Sequence, residues 1–228
     1  MTDPNQPLRR RLRITFAKRP EIKYISHLDL ALVWERAFRR AQLPLAYSQG
    51  FNPRPKIQVA AGLPVGTTGS AEILDVIITE QVDPAELLQR IRTTLPRGVV
   101  IHTIAEVPLK TASLQHLLRQ AEYRVIVETN LPAQELTSRI QALLAADQVI
   151  QTRRRRQLEE KFDLRPWLHD LRLESVADNQ ALLFMRLTAG QFGNLRPEEV
   201  LKALDLADNW TEIERTRLIF EDAPNSSS

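Results

Sequence analysis

Between Arg11 and Val107 the spacing of apolar residues switches from two to about 3.6 and back, twice over. Leu12, Ile14 and Phe16 alternate with Arg11, Arg13 and Thr15, which marks a strand with one buried face and one basic face. A helix follows from Ser26 to about Gln42. Leu30, Trp34, Ala37, Phe38 and Ala41 recur on its inner side, while the Ser26 oxygen can accept a free first-turn amide and the Asp29 carboxylate suits the positive helix end. Lys56–Ala60 reads as a short strand, Gly62–Gly69 as a turn-rich connection and Ile73–Thr79 as an interior strand. Asp83-Pro84 opens a second helix with Leu87, Leu88, Ile91 and Leu95 inward, Pro96 and Gly98 stop it, and Val99–Val107 is a strand. Strand, helix, strand, strand, helix, strand is the split βαβ order of a ferredoxin-like domain. In that arrangement both helices cover one sheet face and leave the other for a partner or ligand.

The second half repeats the order without a usable identity between the halves. Tyr123–Glu128 is a strand, Pro132–Ala146 a helix, Val149–Arg156 and Ala181–Thr188 strand candidates, Pro197 the start of a short helix, and Thr211–Phe220 the closing strand. The expected fold class is therefore α+β, with two tandem ferredoxin-like domains over residues 8–108 and 121–222. Residues 109–120 form the linker. Residues 157–175 form an insertion in the second domain, an ordered crossing with a helical turn begun by Asp163. Met1–Pro7 and Pro224–Ser228 read as disordered ends.

Cysteine is absent, which excludes disulfides, thiolate zinc sites, a cysteine nucleophile and a thiolate-held iron–sulfur cluster. The four histidines, His27, His102, His116 and His169, do not fall at metal-ligand spacing, so neither a metal nor a cofactor is expected. No apolar run reaches membrane-spanning length and the start is not a secretory signal, which makes a cytoplasmic setting the expectation. The net charge of +3 is unevenly placed: residues 1–60 hold 12 Lys/Arg against 4 Asp/Glu, an excess of +8. Such an excess is either the footprint of a polyanion or a merely solubilising surface.

The cations favour the first of these by the company they keep. Arg36, Arg39 and Arg40 lie off the buried stripe of the first helix. After Pro44 the loop Tyr47–Pro55 carries two prolines and one glycine, so its shape is restricted. It offers the rings of Tyr47 and Phe51, the amides of Gln49 and Asn52, and then the charges of Arg54 and Lys56. Rings for stacking, amides for base edges and cations for phosphates suit single-stranded or looped RNA. Tyr47 and Phe51 can equally be buried anchors of the loop, and the sequence leaves both roles open. Arg153–Arg156 is a second basic run, weakened by Glu159 and Glu160 and, in a strand, split between two faces.

The segments SHLDL, WERAFRRAQLPLAYSQGFNPRPKI, KFDLRPW and GNLRPEEVLKAL resemble the radical-SAM-linked domain of unknown function. That domain is found fused to, or encoded beside, bacterial radical S-adenosylmethionine proteins with cobalamin-binding domains. The likeness runs from about Arg11 to Phe220. It implies an accessory role in RNA-directed modification with a separate radical S-adenosylmethionine protein as partner, and it carries over no catalytic residue. Arg165, Trp167 and Arg196 match the pattern without a derivable role. The element order and the early His27 also resemble the endoribonucleases that process CRISPR repeats, in which a histidine near the first helix is a general acid or base. Their glycine-rich terminal loop has no counterpart, since Gly190-Gln-Phe-Gly193 is too sparse. Three readings follow: an RNA-binding accessory protein, a metal-independent endoribonuclease using His27, and a protein–protein adaptor that never touches nucleic acid.

Overall fold

The computed structural model describes residues 8–155 and 158–221. The ends expected to be disordered lie outside those residues, as does Arg156 of the basic run. The fold is mixed α+β. The chain divides into two units, one running to Leu117 and including Glu221, the other Leu118–Phe220.

In the first unit β1 (Arg10–Lys18), α1 (His27–Arg40), β2 (Ile57–Val59), β3 (Thr68–Ile78), α2 (Pro84–Arg92) and β4 (Val99–Val107) follow in that order. The strands pair antiparallel in the order β4-β1-β3-β2. Alternation decides which side chains face the helices: Leu12, Ile14 and Phe16 of β1 and Leu74, Val76 and Ile78 of β3 are buried. They form one core with Leu30, Trp34 and Phe38 of α1 and Leu87 and Ile91 of α2. The Phe16 ring meets Trp34 edge-on at 4.9 Å, and the Phe38 ring lies 5.3 Å from Trp34.

Helix α1 starts where Ser26 caps it. Ser26 Oγ accepts from the Asp29 amide at 3.1 Å, and the Asp29 carboxylate accepts from the Ser26 amide at 3.3 Å. Ser26→Ala is expected to cost about 1 kcal/mol in urea unfolding; an unchanged midpoint would mean that packing alone fixes the helix start. Just upstream, Lys18 is only 1% exposed and donates to the carbonyls of Lys23 (3.0 Å) and Ile25 (3.2 Å). It ties the turn leading into α1 to the end of β1.

The sheet face away from the helices is not free around Arg11, contrary to expectation. Asp75 accepts from Arg11 Nε at 2.8 Å and Arg13 Nε at 2.9 Å, and Arg11 donates further to the carbonyls of Thr111 and Ala112. Arg11 and Asp75 are 6% and 3% exposed. A short helix, α3 (Leu114–Leu117), continues this covering segment, and Gln115 donates to the Val59 carbonyl at 3.3 Å. The expected linker thus packs on the first unit before its last residues, 118–120, enter the next strand.

The second unit holds β5 (Leu118–Glu128), α4 (Ala133–Ala145), β6 (Ile150–Arg155), β7 (Leu158–Asp163), β8 (Leu168–Ala177), β9 (Gln180–Thr188), α5 (Pro197–Ala203) and β10 (Thr211–Phe220). Its sheet runs β10-β5-β9-β8, and β6 and β7 pair apart from it. Here the expectation needs correcting: β8 falls largely within the stretch read as an insertion, and β6, the described part of the Val149–Arg156 candidate, does not take the sheet position assigned to it. The reason is chemical. β6 sets Arg153 opposite Glu160, two charged residues that bond each other at 3.3 Å and leave Glu160 exposed. β8 instead brings Leu168 and Leu171 opposite Leu187 and Met185. Register shifts at Leu168/Asp170 and Leu173/Ser175 break the two-residue period of β8, which hides it in the sequence.

Candidate nucleic-acid interface

The loop after α1 is closed at its neck. Tyr47 and Pro55 form an antiparallel bridge, Ser48 N–H donates to the Arg54 carbonyl at 2.9 Å, and Arg54 N–H donates to Ser48 Oγ at 3.0 Å. Below the neck, Lys56 N–H donates to the Ala46 carbonyl at 2.8 Å. Both limbs bond the edge of β3 through Ile77, which accepts from the Ala46 amide and donates to the Lys56 carbonyl. Gly50 turns the tip at φ +128°, a conformation that a side chain disfavours.

That neck holds the tip out in solvent. Phe51 is 104% exposed and anchors nothing, whereas Tyr47, at 41%, is half-sunk in the neck. Gln49, Asn52 and Arg54 are exposed around the ring, and Lys56 is half-buried. Among the described residues no carboxylate pairs with Arg54, Arg36 or Arg40.

The basic residues of α1 form a separate group. Arg36, Arg39 and Arg40 are all exposed, but Arg39 is engaged by Glu35 at 2.7 Å. Arg36 and Arg40 line a groove of about 360 Å³ with Val33 and the segment Thr93–Pro96 that follows α2. Arg90 of α2 donates to the carbonyls of Ala41 and Gln42 and so fixes the end of α1 beside that groove. Lys56 belongs elsewhere: it lies with Arg11, Gln58, Asp75 and Ile77, on the sheet face away from the helices. The structure therefore brings Tyr47, Gln49, Phe51, Asn52 and Arg54 together on one loop, sets Arg36 and Arg40 on the helix layer, and puts Lys56 behind the sheet.

His27 is the first residue of α1. It packs against Gly62, where an added Cβ would lie 3.5 Å from its Cγ, and its buried Nδ1 has no hydrogen-bond partner among the described residues. His102 Nε2 donates to the Ser70 carbonyl at 2.8 Å. No group of three His, Cys, Asp or Glu gathers among the described residues, and no helix there is long and apolar enough to cross a membrane.

The family described as uncharacterized protein conserved in bacteria (DUF2344) matches residues 11–197, a span that contains α1 and the loop. The chain belongs to this family. No curated protein matches it. Among solved structures, this DUF2344 chain is similar to part of an H/ACA ribonucleoprotein bound to a substrate RNA containing 2'-deoxyuridine (13% identity, TM-score 0.49, 91% of this chain covered). A Cbf5-Nop10-Gar1 complex (11%, 0.49, 96%) and an archaeal box H/ACA Nop10-Cbf5 complex (11%, 0.47, 92%) are similar at the same level. The DUF2344 chain spans about half the length of these chains, 47%, 55% and 49% respectively.

Sequence reasoning misses Arg90 and Thr93–Pro96 as neighbours of the DUF2344 protein's helical arginines. Only the packing of α1 on α2 brings them there, and no local pattern signals it. It also overstates the free charge of the first sixty residues, because the partners of Arg10, Arg11 and Arg13 are Glu106 and Asp75, one strand away in space.

Proposed function

We propose that this DUF2344 protein is a non-catalytic accessory that binds RNA and presents it to a separate radical S-adenosylmethionine enzyme. Phe51 is the observation that carries the proposal: a fully exposed ring on a loop whose limbs are bonded to each other and to β3. Such a ring is held ready to stack on an unpaired base, with Arg54 beside it for phosphate and Gln49 and Asn52 for base edges. The partner assignment is supported by the resemblance to the radical-SAM-linked domain; these 228 residues hold no cysteine with which to ligate a cluster themselves. The two strand orders, β4-β1-β3-β2 and β10-β5-β9-β8, support a ferredoxin-like fold for each unit, with domains at 8–108 and 121–222. The setting is cytoplasmic.

A second reading, a protein–protein adaptor, is favoured by the exposed Tyr24, Leu28 and Leu32 along the outer side of α1 and its approach. Binding of an unstructured RNA at several salt concentrations separates the two. Affinity should fall with a log–log slope of about −0.7 per phosphate contacted. Arg54→Glu, and Arg36→Glu with Arg40→Glu, should each weaken binding and flatten that slope, because phosphate contacts carry no sequence information. RNA affinity indifferent to both changes leaves the adaptor reading standing. Cleavage of RNA in the presence of chelator, abolished in a folded His27→Ala variant, selects the endoribonuclease.

A further inference from the structure

The two sequence segments without a role, KFDLRPW and GNLRPEEV, meet in the second unit. They line a cavity of about 520 Å³, within the ~300–1,000 Å³ typical of ligand sites. Its wall is layered. The Arg153 guanidinium sits 4.4 Å from the Phe162 ring centroid and 5.2 Å from that of Trp167, and the two rings stack at 5.6 Å. Arg153 Nε also bonds Glu160 at 3.3 Å, which fixes the guanidinium over those rings.

The opposite side comes from the loop between β9 and α5. Phe192 is 62% exposed, with the Arg119 guanidinium 4.4 Å from its centroid. A Cβ added to Gly193 would come within 3.0 Å of Thr188 and 3.4 Å of the Trp167 ring, so the loop backbone lies close against Trp167. Asn194 and Arg196 are exposed at the rim. Both carboxylates of the lining are engaged within the protein: Glu160 by Arg153, and Glu199 by the Arg196 amide at 2.9 Å. What the cavity offers a visitor is a ring, a guanidinium plane, an amide and a cation.

We propose that this cavity takes one unstacked nucleotide of a bound RNA strand, its base against Phe192 and Arg153, its edge toward Asn194 and its phosphate toward Arg196. Aromatic rings and guanidinium planes are the surfaces on which splayed bases stack, and an amide can read a base edge where a purely apolar ligand would leave it unsatisfied. The proposal rests on the RNA-binding role argued above and adds a second contact, in the other unit, to that of the loop.

The test uses the full chain with Phe192→Trp, which keeps a ring in place and introduces a reporter indole. Nucleoside monophosphates and an unstructured ten-nucleotide RNA are titrated while its fluorescence is followed. Both should quench the indole, the strand at lower concentration. Phe192→Ala and Arg196→Gln should each lower RNA affinity by about fivefold or more without shifting the melting temperature. Phe51→Ala should weaken the strand alone and leave monophosphate quenching as it was. RNA that still binds, with no quenching by any nucleotide and no loss in the two cavity variants, overturns the cavity proposal while sparing the loop. Equal affinity for monophosphate and strand overturns its RNA part and marks a free-nucleotide site. Absence of all binding overturns both proposals.

Discussion

Asp75→Ala is expected to cost about 3–5 kcal/mol of folding stability. Asp75 is almost wholly buried and accepts from Arg11 Nε, Arg13 Nε and Arg13 Nη2 at 2.8, 2.9 and 3.0 Å. Among the described residues its loss leaves the buried Arg11 guanidinium with the Thr111 and Ala112 carbonyls, and an uncompensated charge in a low-dielectric site is strongly unfavourable. Arg13→Ala makes the informative contrast. Arg13 is the more exposed arm of the network, and its removal should cost no more than about 1 kcal/mol. Urea unfolding decides the matter: a large fall in midpoint at constant m for Asp75→Ala, and a small one for Arg13→Ala. A loss below about 1 kcal/mol in both would mean that water reaches Arg11 and that the face is open after all.

Phe51→Ala should weaken binding of unstructured RNA by about 1–3 kcal/mol while leaving stability within about 0.5 kcal/mol of the parent. The two halves of that expectation have one source. A side chain that is 104% exposed contributes no packing to lose, so whatever its removal changes lies in a ligand contact. Because the ring carries no charge, the salt dependence should stay as it was, in contrast to Arg54→Glu. Binding and salt slope that are both unmoved by Phe51→Ala take the ring off the RNA path and favour a protein partner at the loop.

Much of the first unit was legible because its signals are local. Ser26 and Asp29 mark the start of α1, Asp83 caps α2, and Val99–Val107 is bounded by Gly98 and Pro108; each can be read within a few residues. The second unit was harder for a physical reason. Two register shifts blur the alternation of β8, while the charged β6 shows a strand pattern but finds its partner in β7 and not in the sheet. The candidate site divides in the same way. The restricted loop of Tyr47–Pro55 was visible from its prolines and glycine, yet the exposure of Phe51 was not, since burial depends on what the rest of the chain places nearby. Lys56 was grouped with Arg54 on proximity along the chain, but below the neck it lies with Arg11, Gln58 and Asp75 on the sheet face away from the helices. Charge counting failed at Arg10, Arg11 and Arg13 because it is blind to acids that are distant in sequence and adjacent in space.

The neck of the Tyr47–Pro55 loop separates two kinds of selection. Among the described residues every bond that closes it uses the backbone or Ser48 Oγ, and none uses the side chains of Gln49, Phe51, Asn52 or Pro53. Folding therefore constrains the tip through its backbone, at Gly50 and at Pro53. Mutations at Gln49, Phe51 and Asn52 can reshape what the tip grips without disturbing the domain that carries it. The scaffold is thus suited to diversification: a fixed stem on which recognition can drift, be exchanged or be transplanted while stability stays where it was.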